Sequence, residues 1–289
     1  MTGRLGVWFM GVLARLPLSW LRGTGWLLGQ ILFWLAAPRR RVALRNLELC
    51  FPEASPAHRR AWARTSFVQF CQAWLDRSWL WSAPREVVQR RVKLTGAVHE
   101  LDGDEPTIIF APHFYGMDAG GSAIMLHTSK ASTSIFATHP DAAVDAWFRE
   151  GRQRFGDVRM VSRYGGIKPI IANLRKGGLL YLLSDMDFGS NDSVFVPFYG
   201  IQTATIPSLS RFARLGRAKV ISVVTRLTPD GYETEVMPAW TNFPTDDVVA
   251  DTAYMNAQLQ SYIDVSPGEY YWVHKRFKTR PEGEPSVYS

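Results

Sequence analysis

The chain has 289 residues, of which 46% are hydrophobic, and it carries a formal net charge of +7. This length suits one large α/β domain, or one such domain with an N-terminal appendage. The mean hydropathy of −0.10 excludes a polytopic membrane protein. Cys50 and Cys71 lack the spacing of a metal site, so we expect two buried thiols in a reducing compartment.

The positive charge is concentrated at the start of the chain. Residues 1–93 hold 15 Arg and Lys against four Asp and Glu, whereas residues 94–289 hold 18 against 22, and eight of the 11 tryptophans also lie in residues 1–93. Arginine with tryptophan is typical of segments that bind an anionic membrane surface. Nucleic acid is the competing partner of a basic region. We favour the membrane and expect no nucleic acid, because long apolar runs separate the cations.

Residues 1–38 are predicted to form hydrophobic helices that anchor the protein to a membrane. Arg15, Pro17 and Arg22 interrupt the apolar stretch 5–37, and its longest clean run is shorter than the roughly 20 residues that a perpendicular span needs. Two membrane arrangements stay open, an interfacial or re-entrant hairpin kinked near Pro17 and a single tilted span. A buried helix pair in a soluble core is the third alternative.

The basic residues after this stretch exclude a secretory signal and predict an orientation. The apolar run ends in Pro38-Arg39-Arg40-Arg41 rather than in small residues that a signal peptidase would cleave. Cations that flank a membrane segment stay on its cytoplasmic side. We therefore expect Arg39, Arg40, Arg41 and Arg45 to face the cytoplasm.

Residues 39–93 are predicted to be an α-helical lead-in. Ser55 and Pro56 begin a helix, with serine as the N-cap and proline in the first turn. Apolar side chains follow at helical spacing, namely Trp62, Phe67, Phe70, Cys71 and Trp74. We expect this face to pack against the domain that follows.

Residues 94–289 are predicted to form an α/β domain. Short apolar runs predict strands at 107–111, 132–137, 158–161, 178–184, 219–227 and 232–237. Helical patterns cover 119–128, 141–155, 167–176, 205–216 and 246–265. This alternation indicates an α/β fold with a central, mostly parallel mixed sheet flanked by helices.

The strongest chemical signal is the segment APHFYGMDAGG at 111–121. His113 follows the predicted end of a buried strand, where open α/β sheets bind their ligands. Asp118 comes five residues later, in the first turn of the next helix, and is expected to accept a hydrogen bond from one imidazole nitrogen. Small residues around it should leave room for a substrate, namely Gly116, Ala119, Gly120 and Gly121.

This motif predicts proton transfer without a protein nucleophile. The sequence holds no G-x-S-x-G elbow, and neither cysteine lies near His113. His113 would take the proton of an acceptor hydroxyl, and the oxygen would attack an acyl carbonyl whose developing charge is stabilised by strand-end donors or arginines. Activity should then rise with pH. An ordinary loop histidine is the alternative, and the spacing alone does not separate the two.

The sequence resembles the late acyltransferases of lipid A biosynthesis, within the lysophospholipid acyltransferase-like superfamily. That family carries a His, four residues, then Asp or Glu, matched here by His113 and Asp118. Other segments resemble its signatures in order, at 41–47, 50–53, 151–154, 185–189, 194–200, 203–205 and 267–281. Together the matches span roughly residues 39–282.

The resemblance implies a glycerolipid acyltransferase-like fold, anchored at the bacterial inner membrane with its catalytic domain on the cytoplasmic side. It also implies an acyl carrier protein thioester as donor and a lipid A precursor as acceptor, with no cofactor and no metal. His113 would be the general base and Asp118 would orient it.

Five further residues are candidates for substrate contacts. Arg152, Arg154 and Arg163 could hold phosphate or oxyanion groups, because guanidinium binds such groups in a fork. An exposed basic helix face is the alternative for the first two. Asp185 and Asp187 follow a buried strand as a D-x-D pair, which could bind a metal, hold arginines or shape the loop over the site. Since the family needs no metal, we favour a structural ion pair.

Two other segments bear on the partners. The basic residues of 274–278 could meet the acidic carrier protein or the lipid headgroups. In the family, Tyr-Arg-Pro and then Asn-Pro follow the second strand, whereas this chain reads Ile-Phe-Ala-Thr-His-Pro at 135–140. The acceptor could therefore differ, for example a lysophospholipid or an amino-acid-linked lipid. A membrane protein that binds acyl chains without catalysis is the third hypothesis.

Overall fold

The computed structural model describes residues 2–288. Its helices are α1 (Thr2–Leu13), α2 (Leu18–Leu35), α3 (Ala37–Cys50), α4 (Pro56–Ser82), α5 (Arg85–Arg91), α6 (Met117–His127), α7 (Ala142–Gln153), α8 (Lys168–Leu174), α9 (Ser208–Gly216) and α10 (Val248–Val265). Its strands are β1 (Val92–Gly96), β2 (Thr107–Phe110), β3 (Ser132–Phe136), β4 (Val158–Ser162), β5 (Leu179–Leu182), β6 (Val194–Phe198), β7 (Ile201–Thr205), β8 (Lys219–Thr228) and β9 (Gly231–Val236).

Seven strands form one mixed sheet in the order β1-β9-β8-β2-β5-β3-β4. The run from β8 to β4 is parallel, whereas β8 and β9 form an antiparallel hairpin and β1 pairs parallel with β9. β6 and β7 make a separate antiparallel hairpin. The predicted α/β fold, with its mostly parallel sheet flanked by helices, is confirmed. The strands predicted from the sequence omitted β1, β6 and β7.

The centre of the sheet is apolar on both faces. All four residues of β2 are buried, as are Leu179 and Leu180 of its neighbour β5. Strands that are covered on both sides read as continuous apolar runs rather than as an alternation, which is why these two strands were predicted correctly. The register pairs Phe110 with Leu182, so the two strands end side by side.

Two glycines let α2 pack closely on α4. A Cβ on Gly29 would lie 2.4 Å from the Cα of Val68, and one on Gly25 would lie 2.8 Å from the Cα of Gln72. The two helices therefore run antiparallel at backbone contact, an approach that only glycine permits. Arg22 of the same helix forms an ion pair with the buried carboxylate of Asp76, at 2.8 Å.

The outer face of α1 and α2 is apolar and exposed. Of the nineteen large apolar side chains that are exposed in the described part of the chain, eleven lie here, namely Leu5, Trp8, Phe9, Val12, Trp20, Trp26, Leu27, Leu28, Ile31, Trp34 and Leu35. These two helices are therefore covered on one side only.

Within residues 2–288, no helix has both the length and the apolar composition needed to cross a bilayer. The single tilted span, one of the two membrane arrangements that the sequence left open, is therefore corrected, whereas the hairpin kinked near Pro17 stays a prediction. The physical reason for the correction is the break at Pro17, which ends α1 and begins α2 as two shorter helices.

Candidate active site

His113 is held by Asp185. The Nδ1–H group of His113 donates to Oδ1 of Asp185 at 2.6 Å, and the backbone N–H of His113 donates to Oδ2 at 3.0 Å. Asp185 is fully buried, whereas about a seventh of the imidazole surface is exposed. The carboxylate therefore fixes both the tautomer and the orientation of the ring, and Nε2 has no hydrogen-bond partner within residues 2–288.

The sheet explains why these two residues meet. Phe110 and Leu182 are paired across β2 and β5, and His113 and Asp185 each follow three residues after that pair. The carboxyl ends of neighbouring parallel strands lie at one edge of a sheet, where ligands bind in open α/β folds. The side chains beyond these two strands are thereby brought together.

The C-terminal segment completes the support of His113. The hydroxyl of Tyr270 donates to Oδ2 of Asp185 at 2.8 Å. The next residue, Tyr271, donates its backbone N–H to the carbonyl of His113 at 3.1 Å, and Phe114 forms a bridge with Tyr270. Residues distant in sequence therefore fix the loop that carries the histidine.

Asp118 does not hold His113, which corrects the prediction from the sequence. Both of its oxygens contact arginines: Oδ2 accepts from Nε and Nη2 of Arg77, each at 2.7 Å, and Oδ1 accepts from Nε of Arg152 at 2.9 Å. The physical reason is the position of Asp118 in the first turn of α6, where its side chain meets α4 and α7. The segment between residues 113 and 118 turns the two side chains to different partners.

Both carboxylates stay ionised for different reasons. Burial alone would raise the pKa of Asp118, but the charges of Arg152 and Arg77 outweigh it and lower the pKa to about 2. Burial would likewise raise the pKa of Asp185, but the imidazole of His113 and its hydrogen bonds lower it to about 2. Each acid is a fixed negative charge near neutral pH.

His113 lines a cavity of about 220 Å³ between α4, α7 and the strand ends. Arg77 and Arg152 lie in its wall, and the rest of the wall is largely apolar, including Phe70, Trp74, Phe148, Met186 and Tyr271. The guanidinium carbons of Arg77 and Arg152 lie 5.6 and 5.3 Å from the ring centroid of Phe148. The terminal N–H groups of Arg152 have no partner in the described part of the chain. The apolar cavity is thus lined by the imidazole of His113, by two arginines held by Asp118 and by the unpaired donors of Arg152.

Comparison with known proteins identifies the family. The family model of the bacterial lipid A biosynthesis acyltransferases matches residues 2–279. The chain belongs to this family. It is 33% identical over 290 residues to a lipid A biosynthesis acyltransferase of Haemophilus influenzae, covering 97% of this chain and 88% of that protein.

Two Escherichia coli proteins are also similar along most of their length. A lipid A biosynthesis lauroyltransferase is 29% identical, with 98% of this chain and 94% of that protein covered. A lipid A biosynthesis myristoyltransferase is 31% identical, with 90% and 82% covered. The protein is therefore an acyltransferase of lipid A biosynthesis.

The other residues predicted to contact substrate lie in different surroundings in this acyltransferase. Arg152 lines the cavity, and its contact with substrate stays a prediction. Arg154 instead donates to the carbonyls of Leu80 and Ala83 at the end of α4. Arg163 is exposed and donates to the hydroxyl of Tyr164 at 2.6 Å. The helical turn separates Arg152 from Arg154, because residues two apart face different sides.

The two aspartates of the D-x-D pair also have different partners. Asp185 contacts the imidazole of His113 at 2.6 Å, so the alternative in which the acidic pair holds arginines does not apply to this residue. Asp187 accepts from the backbone N–H and the hydroxyl of Thr279, at 2.8 and 2.9 Å, and from the backbone N–H of Gly189 at 2.8 Å. It therefore fastens the C-terminal segment over the site.

Two glycines of the motif serve packing rather than substrate access. A Cβ on Gly116 would lie 2.7 Å from the carbonyl oxygen of Thr225, and one on Gly120 would lie 2.2 Å from its Oγ1. The expected room for a substrate is instead occupied at these positions by β8. The cavity lies on the side of α6 that faces α4 and α7.

Sequence reasoning missed Arg77 entirely. It lies in α4 among apolar residues, and its side chain is 10% exposed. The available signal was an arginine within the tryptophan-rich stretch 74–81 of α4, because a buried charge needs a partner. Trp74 and Trp81 both lie within 6 Å of its guanidinium carbon.

Proposed function

We propose that the protein transfers a fatty acyl chain from an acyl carrier protein thioester to a hydroxyl of a lipid A precursor, with His113 as general base. The observation that carries the proposal is the buried Asp185 carboxylate on Nδ1 of His113, which leaves Nε2 to face an apolar cavity. A neutral imidazole in this tautomer accepts the proton of a hydroxyl.

In the proposed reaction, Nε2 takes the acceptor proton while the hydroxyl oxygen attacks the thioester carbonyl. The tetrahedral oxyanion then collapses, expels the thiolate of the carrier, and the imidazolium returns its proton to that sulfur. Asp185 stabilises the imidazolium throughout, as the acid of a catalytic triad does. Asp118 acts one step away, because it holds Arg77 and Arg152 in the cavity wall.

The free donors of Arg152 are the proposed contact for the oxyanion or for a phosphate of either substrate. Its Nε is committed to Asp118, so the terminal N–H groups keep a fixed direction. Preorganised donors of this kind stabilise charge that develops in the transition state. The apolar wall formed by Phe70, Trp74 and Phe148 would take the start of the acyl chain.

We further propose that residues 1–38 dock on the cytoplasmic leaflet of the inner membrane. The exposed apolar face of α1 and α2 carries four tryptophans, Trp8, Trp20, Trp26 and Trp34, and indole rings favour the membrane interface. α2 is tied to the lead-in by the ion pair of Arg22 with Asp76. Residues 39–93 and the α/β part at 94–289 would thus be held at the surface where both lipids lie.

The test is an acyl-transfer assay with purified protein in detergent. It contains an acyl carrier protein thioester and an under-acylated lipid A precursor, and mass spectrometry follows the lipid. We expect a mass gain of one acyl chain with the wild type, and none with His113→Ala. The matched control is His127→Ala, because His127 also contacts an aspartate, Asp102 at 3.1 Å, but on the exposed surface. Turnover by His113→Ala equal to that of His127→Ala would contradict the proposed base.

A second acceptor is favoured by one segment. Residues 137–140, which differ from the family pattern, are exposed just after β3. If the precursor gains no mass but the thioester is consumed in a total membrane-lipid extract, the acceptor is another lipid hydroxyl and the chemistry at His113 is kept.

A further inference from the structure

Three arginines surround one aromatic ring at the end of α2. The guanidinium carbons of Arg40, Arg60 and Arg64 each lie 5.5 Å from the ring centroid of Phe33. Those of Arg40 and Arg60 also lie 5.5 and 5.1 Å from the ring of Trp34. One of the three comes from α3 and two come from α4. The fold, and not the sequence alone, brings these charges together.

These charges have little compensation within the protein. Among residues 2–288, none of the three arginines forms an ion pair with a carboxylate. Only the charge of Arg40 is partly offset, since its Nη1 donates to the carbonyls of Phe33 and Trp34, at 2.7 and 3.0 Å. Like charges held this close repel, and the aromatic faces offset only part of that cost. An anion would relieve it.

The surroundings of the cluster indicate which anion. Trp34 and Leu35 are more than half exposed and end the apolar face of α2, which continues through Leu28 and Ile31. The three arginines therefore lie at the rim of an apolar surface, next to an indole. In a bilayer, this combination occurs at the depth of the lipid phosphates.

We propose that Arg40, Arg60 and Arg64 form a binding site for the phosphate of an anionic membrane lipid. The inference rests on the membrane docking proposed above and names the headgroup chemistry that docking uses. A guanidinium group binds phosphate through two parallel N–H donors. The ring of Phe33, which is fully buried, is a rigid surface against which the three guanidinium groups lie. Arg60 and Arg64 have no hydrogen-bond partner within residues 2–288 and keep all their donors for the lipid.

An acidic carrier protein is the competing occupant. Arg64 lies six residues before Phe70, which is the first residue of α4 in the cavity wall. This spacing is about 9 Å along the helix. The adjoining surface is apolar rather than charged, and it favours hydrocarbon over a soluble acidic protein. The membrane is therefore the occupant that the contacts support.

The experiment is vesicle flotation of the full chain. Vesicles of phosphatidylcholine are compared with vesicles in which phosphatidylglycerol replaces part of it. The variant is Arg40→Gln/Arg60→Gln/Arg64→Gln. The matched control, Arg159→Gln/Arg211→Gln/Arg217→Gln, removes the same charge from exposed positions of β4, of α9 and of the residue after α9. Circular dichroism checks that each variant is folded, and Arg60→Gln alone replaces the triple variant if that one does not fold.

We expect the wild type to bind the phosphatidylglycerol vesicles more tightly. At about fivefold per guanidinium, the triple variant should lose on the order of one hundredfold on these vesicles, and Arg60→Gln about fivefold, with binding to phosphatidylcholine unchanged. The control should keep most of the preference of the wild type.

Several outcomes would overturn the inference. Equal losses in the variant and the control would show that net charge alone governs binding, and an equal loss on both vesicle types would show that the arginines do not select an anionic lipid. Intact vesicle binding with lost binding of an acyl carrier protein would make the cluster a carrier site. If the wild type floats with neither vesicle, the docking of residues 1–38 fails first, and the inference fails with it.

Discussion

Two buried aspartates of the candidate active site have similarly lowered pKa values but different partners. The pKa of Asp118 and that of Asp185 are both lowered to about 2. Asp185 lies beyond a strand and holds an imidazole, whereas Asp118 lies in a helix and holds two guanidiniums. The two carboxylates are in the same ionisation state, so only the partner distinguishes the aspartate that orients an imidazole from the one that holds two cationic side chains.

The largest difference is expected in turnover. Asp185→Asn removes the charge that stabilises an imidazolium and can favour the wrong tautomer of His113, so we expect kcat to fall by about 10²–10⁴-fold. The measurement is kcat in the lipid acyl-transfer assay, with thermal unfolding as a check of the fold. Asp118→Asn is the matched variant and should reduce kcat less. The reverse order would return the orienting role to Asp118.

The second difference is in stability. Asp118→Asn leaves Arg77 buried without its carboxylate, and breaking a buried ion pair costs about 3–5 kcal/mol of unfolding free energy. Urea unfolding followed by tryptophan fluorescence measures this loss. A loss below about 1 kcal/mol, typical of exposed pairs, would show that water replaces the contact.

Neighbouring arginines of α7 test the cavity wall. We expect Arg152→Gln to lower kcat/KM by about 10–100-fold, because a charge-assisted contact contributes about 1.5–3 kcal/mol. Arg154→Gln should leave kcat/KM within about twofold and instead lower stability, since this side chain donates to carbonyls at the end of α4. Steady-state kinetics of both variants measures kcat/KM, and equal losses would contradict the proposal that Arg152, and not Arg154, contacts substrate.

The smallest effect is on stability in acid. The folded pKa of Asp118, about 2, is below the value of about 3.9 for an unfolded chain, so its contribution is present above about pH 4 and is lost as the pH falls towards 2. The contribution is about 2–3 kcal/mol. Unfolding midpoints of the wild type should therefore fall more steeply than those of Asp118→Asn across this window. Parallel curves would mean that the pKa is not lowered.

Much of the fold was predictable because local patterns carry it. The buried strands β2 and β5 are continuous apolar runs, and α10 has helical spacing over its whole length. By contrast, β6 and β7 include the exposed residues Pro197 and Gln202, and β1 includes exposed Lys93, so their patterns were weak. They form strands because they find partners, which a local pattern does not record.

The site was half predictable. His113 was singled out because it follows a recognisable strand, whereas Asp185 was named without His113 as its partner. Three helices and two strands lie between β2 and β5 in the chain, so nothing local says that the two strands are neighbours. Arg77 was missed because nothing local in the sequence distinguishes it from the other arginines of α4, namely Arg59, Arg60 and Arg64.

The sequence by itself determined the α/β class, the basic, tryptophan-rich first third and the histidine at a strand end, because each depends on residues close together in the chain. Tertiary structure alone decided which aspartate holds His113, which arginines face the cavity and which three surround Phe33. Those pairings depend on strand order and helix packing, since a carboxylate bonds to whichever donor the fold brings within about 3 Å.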